Sequence, residues 1–145
     1  MAIVVRMNLP PAEAHPNGRS HWRRRASAVA TYRKSCGELA WATRHELAGT
    51  VACPIDVAAI GLAYHFAPAA RGTRLRGHDP DNLIAWAKAA IDGLVDGGIL
   101  ADDRQLVYLP PTTQLTDVMS RLEVSIQTDG ICPLCGGAGR FSLIR

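Results

Sequence analysis

An α+β fold is predicted, with elements in the order β-α-β-α-β-β and helices packed on one side of a mixed sheet. Three observations predict it. Stretches near 54–67 and 120–127 alternate apolar residues with period two, the spacing of a strand. Stretches near 23–48 and 81–96 repeat them every three to four residues, the spacing of a helix face. The 145 residues, 48% hydrophobic and 20% charged, suffice for one domain with a substantial core.

Residues 2–9, AIVVRMNL, read as the first strand, stopped by Pro10-Pro11. A polar loop follows over 10–22, with turn signals at Pro16, Asn17 and Gly18. His15 and His21 lie in it as loop residues, contact with phosphate being the alternative. The helix over 23–48 places Val29, Tyr32, Cys36, Leu39, Thr43 and Leu47 on one face, and Gly49 ends it. A strand over 54–67 carries Ile60, Leu62, Tyr64 and Phe66 on one face, with a change of phase near Ala58-Ala59. The second helix, about 81–96, packs through Leu83, Ile84, Ala87, Ala90, Ile91 and Leu94. Strands over 104–109, closed by Pro110-Pro111, and over 120–127 complete the sheet. Residues 1–127 form the domain, and 128–145 a separate tail.

Charge is unevenly distributed. Of sixteen basic residues fourteen are Arg, and residues 1–76 balance at +7 while 77–103 balance at −5. Arg23, Arg24 and Arg25 open the first helix, where basic charge opposes the helix dipole. Arg71, Arg74 and Arg76 line a Gly-containing loop leading to Asp79. A basic surface around an acidic pocket suits a phosphodiester substrate, arginines holding the backbone and carboxylates a metal. A solvated charge run is the alternative for the Arg23–Arg25 cluster. Trp22 and Trp41 are candidates for stacking on unpaired bases, with core or interface packing the competing reading for Trp41. No apolar run has membrane-spanning length and no signal-peptide pattern opens the chain, so a cytoplasmic location without a membrane partner is expected.

The chemistry concentrates in 77–103, GHDPDNLIAWAKAAIDGLVDGGILADD, which holds six of the thirteen acidic residues. Asp79 and Asp81 flank a proline at the helix entrance. Lys88 and Asp92 continue one face from Asp81, seven and four residues on. Gly97-Gly98 lets the chain reverse and carry Asp102 or Asp103 back toward the helix start. Carboxylates gathered in this way suit Mg²⁺, with Mn²⁺ as a substitute. Taken alone, Asp79-Pro80 is also an ordinary helix N-cap with proline at the first helical position.

Three motifs, Asp79-Pro80-Asp81-Asn82, Lys88-Ala89-Ala90-Ile91-Asp92-Gly93-Leu94 and Gly98-Ile99-Leu100-Ala101-Asp102-Asp103-Arg104-Gln105, resemble those of the RusA-type Holliday-junction resolvases over roughly residues 3–127. These are dimeric, Mg²⁺-dependent endonucleases often carried by phages and prophages. The resemblance implies Asp79, Asp81 and Asp103 as catalytic, metal-binding carboxylates and Lys88 as the catalytic lysine. It also implies a homodimer acting on four-way junctions, with paired nicks that leave 5′-phosphates. This sequence departs from the family in one respect: Lys88 follows Asp81-Asn82 about one helical turn later. Two other readings are a nuclease for flaps, forks or other branched DNA, and a non-catalytic DNA-binding module.

The tail contains Cys132-Pro133-Leu134-Cys135-Gly136-Gly137, the shape of a zinc knuckle. Zinc needs four ligands, so Cys132 and Cys135 require a second tail of a dimer or a histidine to complete a Zn²⁺ site. A disulfide or an unstructured tail accounts for the same residues. Cys36 and Cys53 read as buried thiols.

Overall fold

A computed structural model describes residues 2–56, 58–68, 79–104, 106–116 and 118–128. The order is β1 (Ala2–Met7), a 3-10 turn (Ala12–Ala14), α1 (Trp22–Glu46), β2 (Ala58–Phe66), α2 (Pro80–Trp86), α3 (Lys88–Asp96), β3 (Leu106–Tyr108), β4 (Thr112–Leu115) and β5 (Arg121–Gln127). The α+β class and the mixed sheet are as predicted. The element count differs: the second helix is two helices, and a further strand, β4, follows Pro110-Pro111.

The five strands form one sheet in the order β1-β5-β2-β3, with β4 also on β2. Strand β5 runs antiparallel to both β1 and β2, while β3 and β4 run parallel to β2. Strand β3 pairs with Ala58–Ile60 and β4 with Ala63–Phe66, so the two follow one another along the same edge. The prolines between them lack the N–H that a ladder needs, and they interrupt this edge rather than end it. The strand expected over 54–67 begins only at Ala58, while Ile55 makes an isolated parallel bridge to Leu100.

Period-two alternation puts Ile3, Val5 and Met7, then Ile60, Leu62 and Tyr64, then Leu122, Val124 and Ile126 on one buried face. Cys36, Ala40, Leu83, Trp86, Ala90, Ile91 and Leu94 of the helices complete the same core. The opposite face is polar. There Glu123 accepts from Arg6 at 3.0 Å and Arg121 at 2.9 Å, and lies 3.4 Å from His65.

Helix α1 buries the stripe its periodicity foretold, with Cys36 and Ala40 deepest and Val29, Tyr32, Leu39 and Leu47 packed against the core. Burial pushes the Cys36 thiol up to about 11, the inert thiol expected, whereas Cys53 is only half-buried. Trp41 is 58% exposed and outside the core, its ring 3.9 Å from that of His45. His21 accepts from the Arg23 N–H and caps the helix.

The α1–α3 crossing is close because of glycine. A Cβ on Gly93 would sit 2.5 Å from Cys36 Cβ and 2.8 Å from the Arg33 carbonyl. A Cβ on Gly97 would sit 2.5 Å from the Gly37 carbonyl and from Ala40 Cβ. Only hydrogen at these positions lets the two backbones approach.

The helical run is interrupted at Ala87, which takes ψ −7°. The Leu83 carbonyl still accepts from the Ala87 N–H at 3.1 Å and also from the Tyr64 hydroxyl at 2.6 Å, and the Ala90 N–H turns to the Ala87 carbonyl at 2.9 Å as α3 begins. No helix among the described residues is long and apolar enough to cross a membrane.

Two substitutions test the crossing with opposite signs. Gly93→Ala is expected to destabilise by about 1–3 kcal/mol, because the methyl meets backbone that cannot yield. Gly37→Ala, whose Cβ would meet nothing closer than 3.5 Å, is expected to stabilise by about 0.5–1 kcal/mol through helix propensity. Urea unfolding of the two variants beside the parent chain measures both.

Candidate functional site

The acidic segment is held in place by apolar anchors. After α3, Gly98 takes φ +76°, the left-handed conformation that glycine alone adopts without strain, and the chain reverses. Ile99 and Leu100 then plunge into the core at 0% and 1% exposure. The Ile55 N–H donates to the Ile99 carbonyl at 2.8 Å, and the Ala101 N–H to the Ile55 carbonyl at 2.9 Å. Asp102 and Asp103 emerge directly beyond this clamp.

The reversal carries Asp103 back to Lys88, at the start of α3. Lys88 Nζ donates to Asp103 Oδ2 at 2.5 Å, across fifteen residues of chain, and also to Asp92 Oδ1 one turn further along the helix. The other Asp92 oxygen lies 3.7 Å from Arg33 Nη1. Arg33 reaches over from α1 and grips Asp96 through Nε at 2.5 Å and Nη2 at 2.7 Å. Five charged side chains from two helices and a turn therefore alternate in sign: Asp96, Arg33, Asp92, Lys88, Asp103.

The electrostatics follow from these contacts. Burial pulls the Lys88 pKa down, but hydrogen bonds to Asp103 and Asp92 outweigh it and leave the ammonium above the usual lysine value. The Lys88 ammonium holds the Asp103 carboxyl below the usual carboxylate range, with Asp102 adding to the effect. The Arg33 guanidinium does the same to Asp96. Tyr108 on β3 borders this chain of charges: burial raises its phenol, the Lys88 ammonium pulls it back down, and the carboxylates of Asp103 and Asp92 push it up again.

Asp79 and Asp81 stand at the other helix start. Asp79 Oδ1 accepts from the Asp81 N–H at 3.0 Å, with Pro80 at the first helical position, so Asp79 is the N-cap of α2. Both residues are exposed. Seven residues separate Asp81 from Lys88, with the helix break at Ala87 between them. The structure thus brings Lys88 to Asp103 and adds Asp92. Among the described residues no group of three or more His, Cys, Asp or Glu is arranged to hold a metal ion. The oxygen donors have the chemistry Mg²⁺ needs. Their arrangement does not fit the ion as it stands, because Asp103 already holds an ammonium.

The basic residues divide. Arg23 and Arg24 are exposed at the start of α1, Arg23 lying 5.1 Å from the ring centroid of Trp22, itself 67% exposed. Arg25 Nη2 turns back to the Ala14 carbonyl at 3.5 Å. The adjacent His15 ring meets Trp86 of α2 edge-on at 5.3 Å, and Trp86 Nε1 donates to the Pro11 carbonyl at 2.9 Å. The arginine cluster is tied in this way to the end of α2. Arg71, Arg74, Arg76, Cys132 and Cys135 lie outside the described residues. A groove of about 720 Å³ runs between β1 and α1, lined by Arg6, Met7, Tyr32, Cys36 and Leu39 among others, and no residue of the acidic segment borders it.

Sequence reasoning gave Asp92 its helical face but no role, and it missed Arg33, Asp96 and Tyr108. The Lys88–Asp92 pair was detectable from its four-residue spacing. Arg33 sits 63 residues from Asp96, and nothing local signals that pair.

The ion pairs predict an acid limb in stability. A carboxylate whose pKa is depressed on folding stabilises above its unfolded value, and loses that contribution as pH falls through the folded value. Stability is therefore expected to fall as pH drops below about 4, the unfolded carboxylate value. In Asp96→Asn the fall is shallower, and stability at pH 7 is lower than in the parent chain. Lys88 works at the other end, its contribution fading only as pH rises past about 10.4. Urea midpoints across the pH range measure these slopes. No protein-family model matches the chain, and no curated protein matches it.

Proposed function

We propose that the chain is a structure-selective endodeoxyribonuclease that resolves four-way DNA junctions by paired, symmetric nicks. In this reading it acts as a C2 homodimer with Mg²⁺ as cofactor, on phage or host DNA in the bacterial cytoplasm. The observation that carries it is the pairing of Lys88 with Asp103, fifteen residues apart, beside a helix that opens with Asp79 and Asp81. A helix cap and a solvated turn do not require that pairing. The three motifs shared with the RusA-type resolvases give it a chemical meaning.

Each group has a role in this reading. Asp79, Asp81 and Asp103 are the carboxylates that the resemblance offers as candidate Mg²⁺ ligands. The Lys88 ammonium is a fixed positive charge for the phosphoryl oxygens. Arg23 and Arg24, exposed at the start of α1, hold the DNA backbone. Arg71, Arg74 and Arg76 are further candidates for holding the backbone. A four-way junction is near two-fold symmetric, so two sites related by a dimer axis match it. Cys132 and Cys135 are proposed as half of a zinc site in the tail.

One observation favours a different reading. Asp79 is a working N-cap, as a non-catalytic DNA-binding module would have it. Cleavage separates the two. With Mg²⁺ or Mn²⁺ and a labelled four-way junction, symmetric nicks bearing 5′-phosphates are expected. Asp81→Asn is expected to slow cutting at least about a hundredfold, the scale of losing one electrostatic contact in a transition state, while junction binding persists. Binding without nicks by the parent chain supports the module. Nicks on flaps or forks with none on junctions assign another branched substrate.

A further inference from the structure

Gly37 is a glycine that the chain's own packing does not require. It lies in the interior of α1, where glycine weakens a helix. Unlike Gly93 and Gly97, it has room: a Cβ there would meet nothing closer than the Gly93 carbonyl at 3.5 Å. The space its missing side chain leaves lies on the outside. Gly37 and the buried Gly97 floor a groove of about 590 Å³ beside the α1–α3 crossing. Trp41 stands at the wall of this groove, one helical turn beyond Gly37 and 58% exposed. The His45 ring packs 3.9 Å from the indole and holds it in place, so the side chain has little freedom left to lose on docking.

The charges of the groove balance. Its rim carries Arg33 and Lys34 against Glu38 and Asp96, two of each sign. Arg33 is committed to Asp96, but Lys34 and Glu38 meet only at 3.9 Å, with side chains 80% and 69% exposed. A phosphate backbone needs a surplus of positive charge, which this surface lacks. The exposed Arg23 and Arg24 lie roughly 25 Å or more away along the same helix. A surface that holds both signs and one projecting indole beside an open groove is complementary to a rotated copy of itself.

We propose that this groove is the two-fold interface between copies of the chain, each Trp41 filling the groove of the other. This rests on the homodimer in the reading above, and it names the surface that makes it. Helix α1 crosses the partner's α1 antiparallel at Gly37, where the absent side chain lets the backbones close. Arg33 and Trp41 stand four residues to either side, so the two-fold sets Arg33 level with the partner's Trp41, guanidinium against indole. Lys34 comes within two residues, about 3 Å of helical rise, of the level of the partner's Glu38. Removing two indoles from water drives the association, and Arg23 and Arg24 of both copies stay free for DNA.

Sedimentation equilibrium of the full chain tests this, with circular dichroism and thermal melts establishing that each variant is folded. The parent chain is expected to be a dimer. Trp41→Ala is expected to weaken self-association at least about thirtyfold, the scale of a central interface tryptophan. Gly37→Gln puts a good helix former into the groove, and is expected to weaken association at least about tenfold while the fold is kept. Lys34→Glu is expected to weaken it as well, and adding Glu38→Lys to the same chain to restore it. Met119→Ala, which removes the most exposed of the large apolar side chains described, is expected to change nothing.

A dimeric parent whose Trp41→Ala and Gly37→Gln variants dissociate no more readily overturns the interface and leaves the nuclease reading standing. So does a loss of association with Met119→Ala as large as that with Trp41→Ala, which moves the contact to the groove beside β1. A Trp41→Ala chain that stays dimeric but no longer binds junctions assigns Trp41 to DNA and overturns the proposal. A parent chain monomeric at every concentration overturns the interface and the homodimer together, and the nicking assay then decides the nuclease reading by itself.

Discussion

Two helices meeting at backbone distance set the geometry of the acidic segment. With hydrogen in place of a side chain at Gly93 and Gly97, α1 settles against α3 closely enough for Arg33 to reach two carboxylates on the neighbouring helix. A wider crossing would lift the guanidinium from Asp92 and Asp96, and Lys88 would then be the sole cation among three carboxylates. The packing contact and the charge pattern are thus one constraint. Small residues in the core decide which charges meet at the surface.

The second constraint is the turn. Gly98 supplies the reversal, but a reversal alone leaves direction open. The buried Ile99-Leu100 pair, hydrogen-bonded to Ile55 ahead of β2, fixes where the chain leaves the core. Asp103 therefore emerges from a rigid clamp although it belongs to a loop. Precise polar geometry is cheapest to maintain on such apolar supports, because the entropy of ordering the backbone is already offset by burial.

Legibility in the sequence divides along the same line. The α1 stripe, the alternating strands and the Gly97-Gly98 reversal are local patterns, and a local pattern survives into the fold because burial enforces it. The break at Ala87 carries no local signal. The run Leu83-Ile84-Ala85-Trp86-Ala87-Lys88 contains neither glycine nor proline. Strand β4 was hidden for a related reason: two prolines read as a stop, yet β2 still offers ladder partners beyond them. At the site, the Asp92 spacing was visible and the Arg33 contact was not. The −5 balance of residues 77–103 suggested an open acidic pocket, whereas the folded chain imports Arg33 from the basic half to neutralise part of it.

The break also decides what Lys88 can reach. In one straight helix, Lys88 would continue the axis of α2, away from the Asp79–Asp81 end and with no partner guaranteed. Here the helix stops at Trp86 and restarts at Lys88. Lys88 opens α3, four residues ahead of Asp92, where the returning turn delivers Asp103. The spacing that matters for the lysine is then its distance to the later motif, not to the earlier one. An insertion ahead of Lys88 is tolerable in this arrangement. One between Lys88 and Asp103 would rotate Asp92 off the shared face or pull the clamp out of register, and so dismantle the pairing.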